Sequence, residues 1–270
     1  MNFKLIKPIN KELTYQQQIL FNRGIPLKEQ YHYLHTTDDD INDYRLLGED
    51  NLKKGWECIK ASIENNDLAM VIVDADADGY TSSAFLVNWL HDYAPEWIQN
   101  NVTWVFHKGK QHGIDDHVDE ILDNHFKLLL VPDAGSNDLE QCKLLSEQGV
   151  KIVILDHHIV EQGNSYAILV NNQNSDYPNK NFSGVGIVYQ FCRYCEDRDS
   201  LPHYSDDYLD LLALGLVADM MDITSFETKH FIQKGFKDEN IHNPFIYEMF
   251  KKNSFKLGSH ITPIGAAFYI

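Results

Sequence analysis

The stretch Val71-Ile72-Val73-Asp74-Ala75-Asp76-Ala77-Asp78-Gly79 runs from an apolar strand into three carboxylates at alternate positions and then a glycine. A strand of Val and Ile without polar alternation is one buried on both faces, as in a parallel sheet covered by helices. Its side chains lose their cover only at the carboxyl end, where open α/β sheets place their ligands. Carboxylates crowded at such an edge repel one another, which raises their proton affinity unless a positive charge neutralises them. A divalent cation is the simplest such charge, so the stretch is read as part of a metal site.

Working outward, Leu52, Trp56, Ile59 and Ile63 recur at helical spacing over 49–65 and lead into this strand. Downstream, apolar strands over 68–73, 102–106, 127–131, 151–155 and 167–170 alternate with helical patterns over 80–93, 115–124 and 138–148. Pro95 is expected to stop the first of these helices and Gly149 the last. The expected fold class is α/β: a Rossmann-like parallel five-stranded sheet with helices on both faces, followed by a helical segment. That segment holds helices over 184–195 and 206–218, then pieces near 228–234 and 244–251. Ser205 is placed at the N-cap of the second helix, with Asp206 and Asp207 in its first turn. The expected organisation is an N-terminal helical or extended arm over 1–48, a catalytic domain over 49–225 and a helical linker over 226–270. The apolar ending Ala266-Ala267-Phe268-Tyr269-Ile270 reads as leading into a further C-terminal domain.

The 270 residues are 43% hydrophobic, enough for a sizeable core, and carry 23 Lys+Arg against 40 Asp+Glu, a net charge of −17. No global field draws such a chain to nucleic acid or to an anionic membrane, so any polyanion site has to be local or built on metal. No apolar run approaches the roughly 18 residues of a membrane span, and Met1-Asn2-Phe3-Lys4 lacks the apolar region of a signal peptide, so a cytoplasmic location is expected. Cys192 and Cys195 form a solitary pair in a helical pattern and read as core. Asp38-Asp39-Asp40 lacks the spaced ligands and glycine of a calcium loop and reads as a solvated run.

Four polar clusters end strands or a buried helix: Asp74, Asp76 and Asp78; Asp133; Asp156-His157-His158; and Asp219. Strand ends of a parallel sheet share one edge, so these distant segments are expected to converge. Hard carboxylate oxygens with imidazole suit Mn²⁺ or a similar divalent ion, and two such ions could share a bridging carboxylate.

The order of these motifs, Asp76-Ala77-Asp78-Gly79, then Asp133, then Asp156-His157-His158, then Gly184-Val185-Gly186, then Gly215-Leu216-Val217-Ala218-Asp219, resembles that of the DHH phosphoesterases. Within them it looks most like the RecJ single-strand exonucleases. Arg23-Gly24-Ile25 and Ile261-Thr262-Pro263 also look like segments that flank this domain in RecJ relatives, which extends the resemblance over most of the chain. The resemblance implies that Asp76, Asp78, Asp133, His157 and Asp219 are metal ligands, with Asp133 bridging two Mn²⁺ or Mg²⁺ ions. Asp78, His157 and Asp219 would complete one shell and Asp76 would hold the other ion, with Asp74 supporting it or binding weakly. His158 would face the scissile phosphate, and Asp156 would orient a histidine. Some relatives carry a histidine four residues before Asp76. Here that place is Ile72, so the ion held by Asp76 is one protein ligand short and weaker occupancy is expected there.

The activity so implied is metal-dependent 5′ to 3′ hydrolysis of single-stranded DNA by a two-metal mechanism, in repair or recombination. A phosphodiesterase for short oligonucleotides or cyclic dinucleotides is the alternative enzyme. A non-catalytic scaffold binding replication or repair proteins is the alternative of another class, although relatives of that kind lose metal ligands that this sequence keeps. In RecJ relatives a basic segment after the second strand contacts substrate phosphates, which would give that role to Lys108, Lys110 and His112; a solvated loop explains them equally well. Gly184 and Gly186 open a helix whose N–H groups could approach phosphate, or they serve close helix packing.

Overall fold

Five strands, β1 (Ala69–Val73), β2 (Val102–Phe106), β3 (Leu128–Pro132), β4 (Lys151–Asp156) and β5 (Ile168–Asn171), make one sheet in the order β2-β1-β3-β4-β5. Every pairing in it is parallel. The computed structural model describes residues 7–107, 113–257, 261, 262 and 265–267, so Lys108, Lys110 and His112 lie outside the described residues. The helices are α1 (Tyr15–Asn22), α2 (Gln30–Leu34), α3 (Glu49–Glu64), α4 (Ala77–Tyr93), α5 (Pro95–Asn101), α6 (Val118–Asp123), α7 (Leu139–Glu147), α8 (Gly184–Asp199), α9 (Leu209–Ala218), α10 (Phe226–Gly235) and α11 (Pro244–Leu257). The α/β fold with a parallel five-stranded sheet and a following helical segment is the one expected from the sequence.

Alternation along each strand splits the core into two layers. Ala69, Val71, Leu128, Leu130, Val153 and Leu155 face the larger layer, built on α3, α4, α8 and α9, while Met70, Ile72, Leu129, Val131, Ile152 and Ile154 face the layer under α6 and α7. Both faces of β1, β3 and β4 are thus dry, which is why these strands read as unbroken apolar runs, while the edge strand β2 is mostly exposed. In the larger layer Trp56 of α3 meets Trp89 of α4 edge to face, with ring centroids 5.5 Å apart. Cys192 and Cys195 are buried there within α8.

Several local expectations give way to tertiary contacts. Pro95 does not only end α4; it opens α5 at the first helical position, where its missing N–H costs nothing. Ser205 does not cap a helix. Residues Tyr204–Tyr208 form a 3-10 turn and α9 begins at Leu209. Ser205 is drawn inward because buried Glu196 needs donors: its N–H and Oγ each donate to Glu196 at 2.8 Å, beside Trp89 Nε1 at 2.7 Å. In the acidic run Asp38 and Asp39 are exposed, as expected, while Asp38 Oδ1 also accepts from Lys234 Nζ at 2.7 Å and lies 2.8 Å from His230 Nε2.

Glu227, at the start of α10, shows how the N-terminal segment is held. It is 2% exposed and accepts from Asn42 N and Nδ2, Tyr177 Oη, Asn179 Nδ2 and Gln190 Nε2. One carboxylate therefore joins four segments that are far apart in sequence. Glu227→Ala leaves these donors buried without an acceptor and is expected to lower stability by about 3 kcal/mol, measured by urea unfolding; a change under about 0.5 kcal/mol would mean that the network adds nothing net.

Candidate metal centre

The register of the sheet lays the polar residues in a row. Val71 pairs with Leu130, Leu130 with Val153, and Val153 with Ile168. Three residues further along each segment stand Asp74, Asp133, Asp156 and Asn171, all at the carboxyl edge. The chain leaves β1 to one side for β2 and crosses to the other side for β3, so strand order reverses between β1 and β3. Asp74 and Asp133 flank that switch point, where a crevice opens in this class of sheet.

Helix ends complete the arrangement. Asp76 is the N-cap of α4, its Oδ1 accepting from Gly79 N at 2.9 Å, and Asp78 lies in the first turn. Asp78 Oδ2 accepts from Gly184 N at 2.6 Å and its Oδ1 from Val185 N at 3.2 Å, so the positive end of α8 orients that carboxylate. Asp219 follows α9 at its C-cap, where the helix dipole disfavours a negative charge. His157 Nε2 stands among them, 3.3 Å from Asp133 Oδ1, 3.5 Å from Asp219 Oδ2 and 3.9 Å from Asp78 Oδ2. Potential ligand atoms of Asp78, His157 and Asp219 lie within 4.8 Å of one another, as do those of Asp74, Asp76 and Asp133. Asp133 also groups in this way with Asp156, His157 and His158, and so stands between the two sets.

Electrostatics sorts these groups. Burial, and then the charge of Asp133, push the Asp78 carboxyl well above the usual carboxylate range. Burial likewise raises Asp133, with Asp156 and Asp76 adding to it, and burial raises Asp219. Asp156 behaves oppositely. Burial alone would raise it, but the hydrogen bond and charge of His158 outweigh that and hold it at about 2. His158 Nδ1 lies 2.7 Å from Asp156 Oδ1, and this hydrogen bond pushes the imidazole up to about 9. Asp156 also accepts from the backbone N–H groups of Ser136, His157 and His158, so it is a fully engaged anchor.

Asp133 Oδ1 and Asp219 Oδ2 are the opposite case, for both are buried without a hydrogen-bond donor. An orphaned carboxylate oxygen in a dry site is costly unless a charge compensates it. Two of them, aimed at one imidazole nitrogen beside further acids, form a donor set that fits a hard or borderline divalent cation such as Mn²⁺ or Mg²⁺. Asp133 adopts φ 65°, a left-handed backbone that a non-glycine residue rarely takes. Such outliers gather where a side chain must be aimed.

The structure therefore brings together Asp74, Asp76, Asp78, Asp133, Asp156, His157, His158 and Asp219. Gly184 and Gly186 serve close packing in this arrangement. Both are buried, the N–H of Gly184 is committed to Asp78, and a Cβ on Gly186 would strike the Phe182 ring at 2.5 Å. The physical reason for Gly184 is proximity, since a Cβ there would overlap Asp133 Oδ1. Gly215 matches it, because a Cβ would come within 2.6 Å of Asp78 Oδ1. Ile72 is buried in the layer under α6 and α7, with Val131 and Ile154.

Sequence reasoning missed Asn171 and Ser136. Asn171 is fully buried at the end of β5, and its Nδ2 donates at 2.9 Å both to Ser136 Oγ and to the His158 carbonyl, bracing the loop that presents both histidines. A polar residue closing the fifth apolar strand was the available signal, the same one that marked the other three strand ends.

Comparison with known proteins agrees with this geometry. Residues 69–216 match the DHH family, N-terminal domain. YorK of the SPbeta prophage in Bacillus subtilis (strain 168), whose name carries a single-strand DNA-specific exonuclease assignment, is 32% identical over 256 residues, covering 94% of this chain and 42% of YorK. The single-stranded-DNA-specific exonuclease RecJ of the same organism is 28% identical over 211 residues, covering 76% of this chain and 25% of RecJ. The chain thus spans less than half the length of these relatives. RecJ of Thermus thermophilus in complex with Mn²⁺ superposes with a TM-score of 0.70 at 21% identity, over 96% of this chain and 36% of that one, and so shares the fold. With more than half its length matched in sequence and its acidic motifs gathered at one sheet edge, this chain belongs to the DHH family.

Proposed function

We propose that this chain is the catalytic part of a metal-dependent phosphodiesterase that hydrolyses single-stranded DNA from its 5′ end, with residues 49–225 carrying the chemistry. The observation that carries the reading is the pair of buried oxygens without a hydrogen-bond donor, Asp133 Oδ1 and Asp219 Oδ2, at 3.3 and 3.5 Å from His157 Nε2. The names of YorK and RecJ support the substrate class.

Asp78, His157 and Asp219 would hold one divalent ion, Asp76 and Asp74 the other, and Asp133 would reach both. Divalent ions bound there supply charge that polarises a phosphoryl oxygen and lowers the pKa of water. His158, half exposed at the rim and kept protonated by Asp156, places a positive charge where a phosphate enters. Asp156 acts through the two histidines, fixing their backbone and the His158 ring. Asp76 is exposed and also caps α4, and Ile72 contributes no ligand, so the second ion binds more weakly than the first. Lys108, Lys110 and His112 follow β2 in sequence, and we assign them to substrate phosphates on the family resemblance alone.

Because protons and metal compete for carboxylates whose pKa is raised, Mn²⁺ is expected to stabilise the protein more at pH 7.5 than at pH 5.5. The sign follows from the folded-state shifts of Asp78, Asp133 and Asp219: they favour proton uptake on folding, so metal-free stability falls as pH rises above the unfolded carboxylate range. At a hundredfold excess over Kd the gain is about 2.7 kcal/mol, read as a rise in Tm; an identical Tm with and without Mn²⁺ at pH 7.5 would exclude a metal centre. Asp133→Asn keeps a residue that tolerates the left-handed backbone, and should abolish both the Tm rise and Mn²⁺-dependent hydrolysis of 5′-labelled single-stranded DNA while leaving the metal-free fold intact. Asp156→Asn should lower activity about 10- to 100-fold. Release of mononucleotide from the 5′ end, compared with a 3′-labelled strand and a cyclic dinucleotide, tests polarity and substrate. Preferential cleavage of the cyclic dinucleotide would replace the single-strand assignment.

A further inference from the structure

Three aromatic side chains that take no part in the metal centre stand half in water beside it: Tyr80, Trp104 and Phe106 are 50%, 49% and 46% exposed. Trp104 and Phe106 alternate along β2, so they lie on one face of the strand, and β2 is an edge of the sheet. Tyr80, Ala84 and Val87 recur at helical spacing on α4 and line the same groove of about 220 Å³. The Tyr80 and Phe106 rings stack with centroids 5.6 Å apart and planes 30° from parallel. Val73 lines the groove as well, and it immediately precedes Asp74, while Tyr80 stands two residues after Asp78. No carboxylate lines the groove, but the segments that form it, the end of β1 and the start of α4, are the ones that carry Asp74, Asp76 and Asp78.

We infer that this groove holds an unpaired nucleobase of a single-stranded nucleic acid, stacked on the Tyr80–Phe106 pair while its backbone runs toward the carboxylates. The inference rests on the phosphodiesterase reading and adds to it the residues that select an unpaired strand. Charge favours this occupant. At a net charge of −17 the chain has no long-range attraction for a polyanion, so affinity near the centre has to come from short-range contact with the uncharged part of a nucleotide. Base faces offer that contact to aromatic rings without regard to sequence. In a duplex those faces are already stacked and paired, so the groove discriminates against double strands.

The test uses a labelled phosphorothioate oligo-dT strand, which resists hydrolysis, and the same strand with abasic residues, both titrated in Mn²⁺ and followed by fluorescence anisotropy. Loss of the bases should weaken binding to the unaltered protein about tenfold or more. Tyr80→Phe should keep that difference. Tyr80→Leu combined with Phe106→Leu should bring the two strands to equal affinity at an unchanged Tm. A second readout does not depend on the variants folding. Trp56, Trp89 and Trp97 are buried and Trp104 is the exposed one of the four tryptophans, so its emission should be quenched by the base-containing strand and not by the abasic one. Quenching should vanish in Trp104→Phe. If the unaltered protein degrades single-stranded DNA but binds abasic and base-containing strands equally, the stacking inference falls and the phosphodiesterase reading stands. If it neither binds nor hydrolyses any phosphodiester in Mn²⁺, both fall.

Discussion

Asp74, Asp78, Asp133 and Asp156 are each no more than 2% exposed, and they meet at one edge of the sheet. Mutual repulsion among buried carboxylates, relieved only by a compensating positive charge, is the constraint that the surroundings answer. Asp156 finds its relief within the protein, in three backbone N–H groups and the His158 ring. Asp78 finds part of it in the first N–H groups of α8. Asp133 Oδ1 and Asp219 Oδ2 have no hydrogen-bond donor among the described residues, with only the His157 ring near both. The distribution is informative, because the protein satisfies the acids that position others and leaves bare the oxygens that face a common point.

Such crowding also dictates where side chains are forbidden. Helices α8 and α9 approach the carboxylates through Gly184 and Gly215, and at either position a Cβ would occupy the place of an aspartate oxygen. These glycines let helix backbone come close enough for an N-terminal amide to reach Asp78 and for α9 to deliver Asp219. What the structure shows of them is this close approach.

The fold was legible because β1, β3 and β4 are dry on both faces and read as apolar runs, each ending on a polar residue. Alternation of strands and helices then predicted the parallel sheet, and the edge at which Asp74, Asp133 and Asp156 align. What could not be read locally were contacts made by residues far apart. Nothing near Ser205 announces Glu196 as its partner, so the residue passes for a helix cap. Asp38 stays exposed, as expected, but its pairing with His230 and Lys234 of α10 cannot be read from its neighbours in sequence. Glu227 seems an ordinary first-turn acid until Asn42, Tyr177, Asn179 and Gln190 converge on it. The N-terminal helices α1 and α2 carry weak amphipathic patterns and owe their placement to such contacts, including Tyr33 Oη on the Ile223 carbonyl. Asn171 escaped notice because it bears no charge, although it closes its strand in the same row as the acids.

Chain order gives the row a temporal meaning. Asp74, Asp133 and Asp156 are aligned by backbone pairing once β4 has joined β3, whereas Asp219 arrives only when α9 docks on α4, more than sixty residues later in the chain. During synthesis from the N-terminus the acids therefore assemble before the carboxylate that closes their cluster. A nascent chain ending between β5 and α9 carries the repulsion without Asp219, the carboxylate that α9 delivers to the cluster.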